Sequence, residues 1–383
     1  MGTRKSKCYV NFLGCEKRKL DAQRVINYFR ANGYSLASQS ADADVVVFLT
    51  CAFCDKYENF SIAKLDKIYK QKKHAAPFIV GGCLPAINPD RLKSYPDAIQ
   101  IQTRELDILD TLLQISVPMS AIGDPNTTIF DQKGSFMPQA AGFKSPAEIN
   151  YEAAKKGYKI RINWGCLGRC AYCVTRFAEK TLKSKHISEI LCEFQQGLDA
   201  GFTTFFLTGG DTGAYGLDLG TSIVDLLQQI FAIPGNYTIH FHDFGVHWLC
   251  SNFVKLLPLL QANQDKLGCF CFPIQSGSDR ILRLMRRSYS AEMLYATLLP
   301  LKSLVPSLKL GTHFIVGFPG EADDDFQRTA QLLRDLPFDF VEVYRYKDHV
   351  RADSRTLPNK VPDDVILQRN AHLDQIFREK FAS

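Results

Sequence analysis

Trp164-Gly165-Cys166-Leu167-Gly168-Arg169-Cys170-Ala171-Tyr172-Cys173 decides how the rest of the chain is read. It directly follows a strand candidate at 158–163. The spacing C-x3-C-x2-C puts three thiols on one loop, enough for three corners of a cubane iron–sulfur cluster, with the fourth iron left open to a small chelating ligand. A zinc site or three unrelated core cysteines are the alternatives. Zinc knuckles usually pair C-x2-C with a second such pair, and no second pair lies near this loop.

Downstream of the loop, strand candidates at 203–207, 237–241, 268–272, 309–316 and 340–346 alternate with amphipathic stretches at 187–199, 221–232, 279–287 and 324–335. Six βα units starting at 158 predict a partial barrel or a curled open sheet over 158–347, with chemistry at the C-terminal strand ends. Beyond Asp348 a Pro-containing stretch and one charged helix (about 363–380) form a tail over 348–383.

Upstream, residues 1–115 read as a second α/β domain. Lys7-Cys8-Tyr9-Val10-Asn11-Phe12-Leu13 is a strand candidate, and Asp21 to Asn32 has helical apolar spacing closed by Gly33. Asp44-Val45-Val46-Val47-Phe48-Leu49 is a continuous apolar run, as in a strand covered on both faces. A Lys-rich helix over 56–73 and the strand Phe78-Ile79-Val80-Gly81 complete a βαβαβ pattern, hence a parallel sheet of flavodoxin-like type. Between 116 and 157 the composition shifts to Pro, Gly, Ser, Asn and Gln without a lasting period, which predicts a linker.

Each strand candidate of this first domain ends at a cysteine: Leu13-Gly14-Cys15, Leu49-Thr50-Cys51 and Gly81-Gly82-Cys83. The C-terminal strand ends of a parallel sheet share one edge, so three thiols far apart in sequence can converge there. One buried cysteine is ordinarily core; three at equivalent positions point to a second metal cluster. Cys51 and Cys54 also form a C-x2-C pair, with no resolving context for redox work. Cys192, Cys250, Cys269 and Cys271 read as core.

Composition narrows the classes further. The 383 residues are 46% hydrophobic and 22% charged, ordinary globular usage that excludes a disordered or fibrous chain. The formal charge is 46 − 40 = +6, and 17 Lys/Arg against 12 Asp/Glu in residues 1–110 place +5 of it in the first domain. That bias permits an anionic partner without demanding one. No apolar run is long enough to span a bilayer, and Met1-Gly2-Thr3-Arg4-Lys5-Ser6 lacks the apolar core of a signal peptide. A cytoplasmic protein with reduced thiols and no membrane partner is expected.

The cysteine loop is the motif of the radical S-adenosylmethionine (radical-SAM) superfamily, and further segments match in order. Thr208-Gly209-Gly210-Asp211 resembles the glycine-rich turn that holds the amino group of the cofactor's methionine. With two three-cysteine sites, the chain resembles the methylthiotransferases of that superfamily over about 8–365. Matching stretches are Gly14-Cys15, Thr50-Cys51-Ala52-Phe53, Gly82-Cys83-Leu84, Pro273-Ile274-Gln275-Ser276-Gly277-Ser278, Met285-Arg286-Arg287 and Ile315-Val316-Gly317-Phe318-Pro319-Gly320-Glu321. Asp211-Thr212 with Ala214-Tyr215-Gly216 is most similar to the branch that modifies a ribosomal-protein aspartate. Family members usually carry Asn where this chain has Arg18 and Leu49, and Pro and Arg-Gly where it has Arg176 and Glu179-Lys180. They also end in a small β-barrel, the TRAM domain, which is not expected here.

The resemblance implies two [4Fe-4S] clusters and S-adenosylmethionine. Cys166, Cys170 and Cys173 would hold the cluster that cleaves the cofactor to a 5′-deoxyadenosyl radical. Cys15, Cys51 and Cys83 would hold an auxiliary cluster carrying the sulfur, and a second S-adenosylmethionine would supply the methyl group. It implies cofactor contacts from Tyr172, Thr208, Gly209, Gly210, Asp211, Gln275, Ser276 and Val316, and a reductant such as flavodoxin or ferredoxin. The missing barrel favours a peptide or small-molecule substrate. The alternatives are tRNA, through Lys17, Arg18, Lys19, Lys70, Lys72 and Lys73, or a ribosomal protein. A non-catalytic iron–sulfur protein is a further alternative, disfavoured because electron transfer needs no nucleoside pocket. His242, after the third barrel strand, is the candidate substrate contact.

Overall fold

The computed structural model describes residues 6–113, 115–131 and 144–381, and its described part divides into two compact units. The expectations that fall on residues 1–5, and on 132–143 of the linker, lie outside the described residues.

Among the described residues, the first unit takes in those up to 131 together with Cys173–Lys180 and His349–Arg351. Its sheet comprises β1 (Lys7–Phe12), β2 (Ser35–Leu36), β3 (Val45–Thr50), β4 (Phe78–Gly82) and β5 (Ala98–Gln100). All pairings are parallel in the order β2-β1-β3-β4-β5, the flavodoxin-like order. Every residue of β3 is buried, as its unbroken apolar run requires of a central strand. Around the sheet lie α1 (Glu16–Ala31), α2 (Asp55–Gln71), α3 (Leu84–Ile87) and α4 (Leu109–Leu112). The first helix starts earlier than the apolar spacing from Asp21 predicts. Its first turn is Glu16-Lys17-Arg18-Lys19, four charges without apolar period, yet Arg18 is only 2% exposed.

The second unit contains, of the described residues, 144–172, 181–348 and 352–381. Residues 116–157 are therefore not a uniform linker: α5 (Pro146–Ala154) lies within them. Ser145 caps it by accepting from the Glu148 N–H, Pro146 starts it, and Tyr151 is buried between Phe206 and Phe340. Nine residues are too few for the period to stand out. The barrel sheet is six-stranded and parallel, in the order β13-β12-β11-β10-β9-β6. These strands are β6 (Tyr158–Arg161), β9 (Thr204–Thr208), β10 (Thr238–Phe241), β11 (Leu267–Cys271), β12 (Lys309–Val316) and β13 (Phe340–Arg345). The outer strands β6 and β13 do not pair with each other, so the barrel is open. A short antiparallel ribbon, β7 (Asn163–Trp164) with β8 (Lys183–Ser184), leads into the cysteine loop.

Between the barrel strands run α7 (Ile187–Asp199), α8 (Ile223–Phe231), α9 (Val246–Ser251), α10 (Phe253–Ala262), α11 (Asp279–Leu284), α12 (Ala291–Leu304) and α13 (Asp323–Asp335). The tail helix α14 (Asp363–Glu379) packs on α13 and β13. The helix after the cysteine loop, α6 (Thr175–Glu179), belongs to the first unit, where Arg351 lies over the Phe177 ring at 3.9 Å. No helix among the described residues is long and apolar enough to cross a membrane.

Two candidate cysteine centres

In the first unit, Cys15, Cys51 and Cys83 follow the C-terminal ends of β1, β3 and β4, three strands adjacent in the sheet. The edge is knit by backbone bonds, Leu13 N to Leu49 O at 2.8 Å and Cys83 N to Thr50 O at 3.0 Å. Ser61 of α2, which sequence reading does not single out, grips Cys51 twice. Its Oγ accepts from Cys51 N at 3.0 Å and donates to Cys51 O at 2.7 Å. Burial pushes the Cys51 thiol well up, and the neighbouring Cys83 and Cys15 push it further. Burial likewise pushes Cys83 up to about 12, against the pull of Arg18. Three mutually interacting thiols at one sheet edge are costly to ionise alone and suit a metal that displaces their protons.

In the second unit, Gly168 lies between the sulfurs of Cys166 and Cys170. Its N–H donates to Cys166 Sγ at 3.2 Å, and a Cβ there would stand 3.7 Å from Cys170 Sγ. Arg287 donates from Nη1 to Cys170 Sγ at 3.2 Å, so a cation and a backbone amide both favour thiolates. Cys173, the third cysteine of the loop, belongs to the first unit, with its Sγ 3.0 Å from Thr175 Oγ1. None of the twelve cysteines is in a disulfide. Among the described residues no three His, Cys, Asp or Glu side chains converge as ligands of a single metal ion. A cubane asks for less convergence, because each thiolate takes a different iron.

The glycine turn after β9 packs against the start of the cysteine loop. A Cβ at Gly209 would fall 1.9 Å from Asn163 Oδ1, and one at Gly210 1.8 Å from the Gly165 carbonyl. Asn163 clamps the turn, accepting from Gly210 N at 3.0 Å and donating to Asp211 O at 2.7 Å. Its position one residue before Trp164-Gly165-Cys166 is the only sequence signal it gives.

Asp211 is held by hydrogen bonds within its own unit. Its carboxylate accepts from Gly213 N (3.2 Å), Gly245 N (2.9 Å) and Trp248 Nε1 (2.9 Å), all from its own unit. Three donors bind it to the fold. Ser276 is fully buried, with its Oγ 3.2 Å from Thr329 Oγ1. Val316 is fully buried at the end of β12.

Among the described residues, Thr208 Oγ1 and Gln275 Oε1 are buried without a hydrogen-bond partner, as polar groups awaiting a ligand would be. Gln275 holds a left-handed backbone at φ 77°, pinned by its N–H to His313 O and by Ile315 N to its own carbonyl. Tyr172 is half-buried against Ala171, Met285 and Phe318. With the thiolate-favouring contacts at Cys166 and Cys170, these orphaned atoms make the unit suited to an iron–sulfur cluster with S-adenosylmethionine.

His242 follows β10, with its Nδ1 3.0 Å from Asp243 Oδ2 and its ring partly exposed. His240 is structural: its Nδ1 accepts from Cys269 N at 3.1 Å, and burial lowers its pKa to about 4. Cys269 and Cys271 are core as expected and Cys250 is half-buried, but Cys192 is exposed. A helical period alone did not assign Cys192 to the outer face of α7.

An open parallel barrel with a C-x3-C-x2-C loop beyond its first strand defines a radical-SAM enzyme, and residues 160–333 match the Radical SAM superfamily. Residues 7–102 match the uncharacterized protein family UPF0004. A probable threonylcarbamoyladenosine tRNA methylthiotransferase of Pyrococcus abyssi is 30% identical over 89% of this chain and 76% of its own length. The chain belongs to the radical-SAM methylthiotransferase family, enzymes that insert sulfur and transfer a methyl group. The ribosomal protein uS12 methylthiotransferase RimO of Protochlamydia amoebophila is 27% identical, over 96% of this chain and 76% of the relative. A solved structure of the methyltransferase TsrM from Kitasatospora setae shares the fold, with TM-score 0.62 at 12% identity over 92% of this chain and 77% of its own.

Proposed function

We propose that this chain installs a methylthio group at an unactivated C–H of a polypeptide side chain in the translation machinery. It would use S-adenosylmethionine with a [4Fe-4S] cluster on Cys166, Cys170 and Cys173, and an auxiliary [4Fe-4S] cluster on Cys15, Cys51 and Cys83. A flavodoxin- or ferredoxin-type protein would supply electrons. When bound, the cluster and S-adenosylmethionine supply the one-electron chemistry that activates a C–H bond. The protein's residues do the positioning. Arg287 and the Gly168 amide hold two thiolates. Asn163 and Asp211 fix the glycine turn. Thr208 Oγ1 and Gln275 Oε1 offer polar contacts to the cofactor.

The observation that carries the substrate reading concerns Lys17-Arg18-Lys19, the triplet most suited to phosphate. Lys17 lies 3.9 Å from Glu179, Arg18 pairs with Asp21 and Glu179, and Lys19 pairs with Glu16 and Asp131. Cations already engaged by carboxylates grip phosphates poorly, which favours polypeptide over tRNA. A free peptide or metabolite as substrate has no support from these relatives, which are named for uS12 or tRNA.

The test is an anaerobic incubation of the reduced, iron-loaded protein with methyl-labelled S-adenosylmethionine and, separately, bulk tRNA and the small ribosomal subunit. Label recovered as methylthio in a uS12 peptide is expected. Label in tRNA nucleosides would replace the polypeptide reading. 5′-Deoxyadenosine without label in either would exclude both macromolecules.

A further inference from the structure

Arg18 is 2% exposed in the first turn of α1, three residues after Cys15. Its Nη1 lies 2.7 Å from Asp21 Oδ2 and its Nη2 3.1 Å from Glu179 Oε1, so both ends of the fork are fixed. Among the described residues the buried Nε–H has no acceptor. Leaving a charged group's donor unmade in the interior is costly, and such an orphan marks a place where a ligand belongs. The stem lies over Gly14, where a Cβ would come within 2.8 Å of Arg18 Cγ and 3.6 Å of Cys51 Cβ. Gly14 thus separates Arg18 from Cys51 by a single residue's width, and its φ of +149° together with that crowding favours glycine there. Arg18 and Glu179, 161 residues apart, meet in one buried ion pair.

We propose that Arg18 is the resident cation of the second cysteine triad, donating its Nε–H to the sulfur of the group held by Cys15, Cys51 and Cys83. Its charge stabilises the more negative, reduced form of that group, and Glu179 opposes it while fixing its orientation. Hydrogen bonds to sulfur and net charge are the levers that set iron–sulfur potentials. The charged groups around Arg18 are Asp21, Glu179 and, beyond Glu179, Lys17. Arg18 is a positioning residue, acting through the cluster rather than on substrate. The inference rests on the two-cluster reading above.

The experiment uses the full chain with Cys166, Cys170 and Cys173 all changed to Ala, so that only the second cluster is present. Midpoint potentials are read by EPR-monitored redox titration, with iron counted and melting temperature recorded. Arg18→Gln is expected to lower the potential by at least a tenfold change in the redox equilibrium, about 59 mV for one electron. Glu179→Gln is expected to raise it. Arg18→Lys, which keeps the charge but not the Nε–H, should recover part of the loss. Opposite signs are the signature, because breaking a merely structural ion pair from either end would move the potential the same way. Shifts of one sign, or none, in iron-loaded protein would overturn the role of Arg18. Absence of iron from the parent variant would instead remove the second cluster itself.

Discussion

Arg287 reaches Cys170 Sγ with Nη1 at 3.2 Å while Nη2 donates to the Pro273 carbonyl and Nε to Tyr289 Oη, each at 2.9 Å. The rigid fork thus ties a cluster-loop cysteine to the end of the fourth barrel strand. A lysine keeps the charge but cannot serve three acceptors at these angles. Arg287→Lys is expected to slow S-adenosylmethionine cleavage about tenfold, matching the loss of one charge-assisted hydrogen bond. Iron content should change little. The measurement is 5′-deoxyadenosine formed under excess reductant, and an unchanged rate would reduce Arg287 to packing.

Two cubanes should give about eight irons per chain after anaerobic reconstitution. Changing Cys166, Cys170 and Cys173 to Ala should remove about half the iron and abolish cofactor cleavage. Changing Cys15, Cys51 and Cys83 should remove the other half while 5′-deoxyadenosine is still formed. About four irons in the unmodified chain, untouched by the second set of changes, would refute the auxiliary cluster.

Much of this was legible before any coordinates. Val45–Leu49 is apolar throughout because a central parallel strand has no solvent face, and the three cysteines one to three residues beyond their strands share an edge by topology alone. What stayed hidden depends on partners distant in sequence. The role of Arg18 turns on Glu179, 161 residues away, and that of Asn163 on Asp211, 48 residues on. A charged first turn gives no sign that one of its members is buried. The partners of Asp211 are hidden for a related reason. An acid beside two glycines resembles a ligand site, while the amides of Gly213 and Gly245 that occupy it carry no side-chain signature.

His240 provides a pH test of the barrel. Burial lowers its pKa from 6.5 to about 4, and its neutral ring accepts the Cys269 N–H. A group whose folded pKa is depressed contributes stability above its unfolded pKa and loses it as pH falls through the folded value. The window is therefore pH 6.5 down to about 4, with at most about 3 kcal/mol at stake at 1.36 kcal/mol per unit. Denaturant unfolding across this window should show stability falling with acid. His240→Gln should flatten that slope while lowering stability at pH 7, and an unchanged slope would assign the acid sensitivity to other groups.

The last prediction concerns Asp211, whose carboxylate joins the turn after β9 to Gly245 and Trp248 at the start of α9. Burial raises its pKa, and the bonds from Gly245 and Trp248 pull it back toward the ionised form. An ionised carboxylate can accept from all three donors, whereas an asparagine must turn its NH₂ toward at least one of them. Asp211→Asn therefore replaces an attraction with two donors face to face. The expected cost is about 2 kcal/mol, the worth of a hydrogen bond to a charged group. A melting temperature lowered by several degrees should accompany it, in the range of about 2–4 °C per kcal/mol for a large domain. S-adenosylmethionine affinity, measured by equilibrium dialysis well below the melting transition, should stay within about threefold, under 1 kcal/mol. A protein as stable as the parent that binds the cofactor tenfold more weakly would return Asp211 to the cofactor and leave its three donors as a secondary feature.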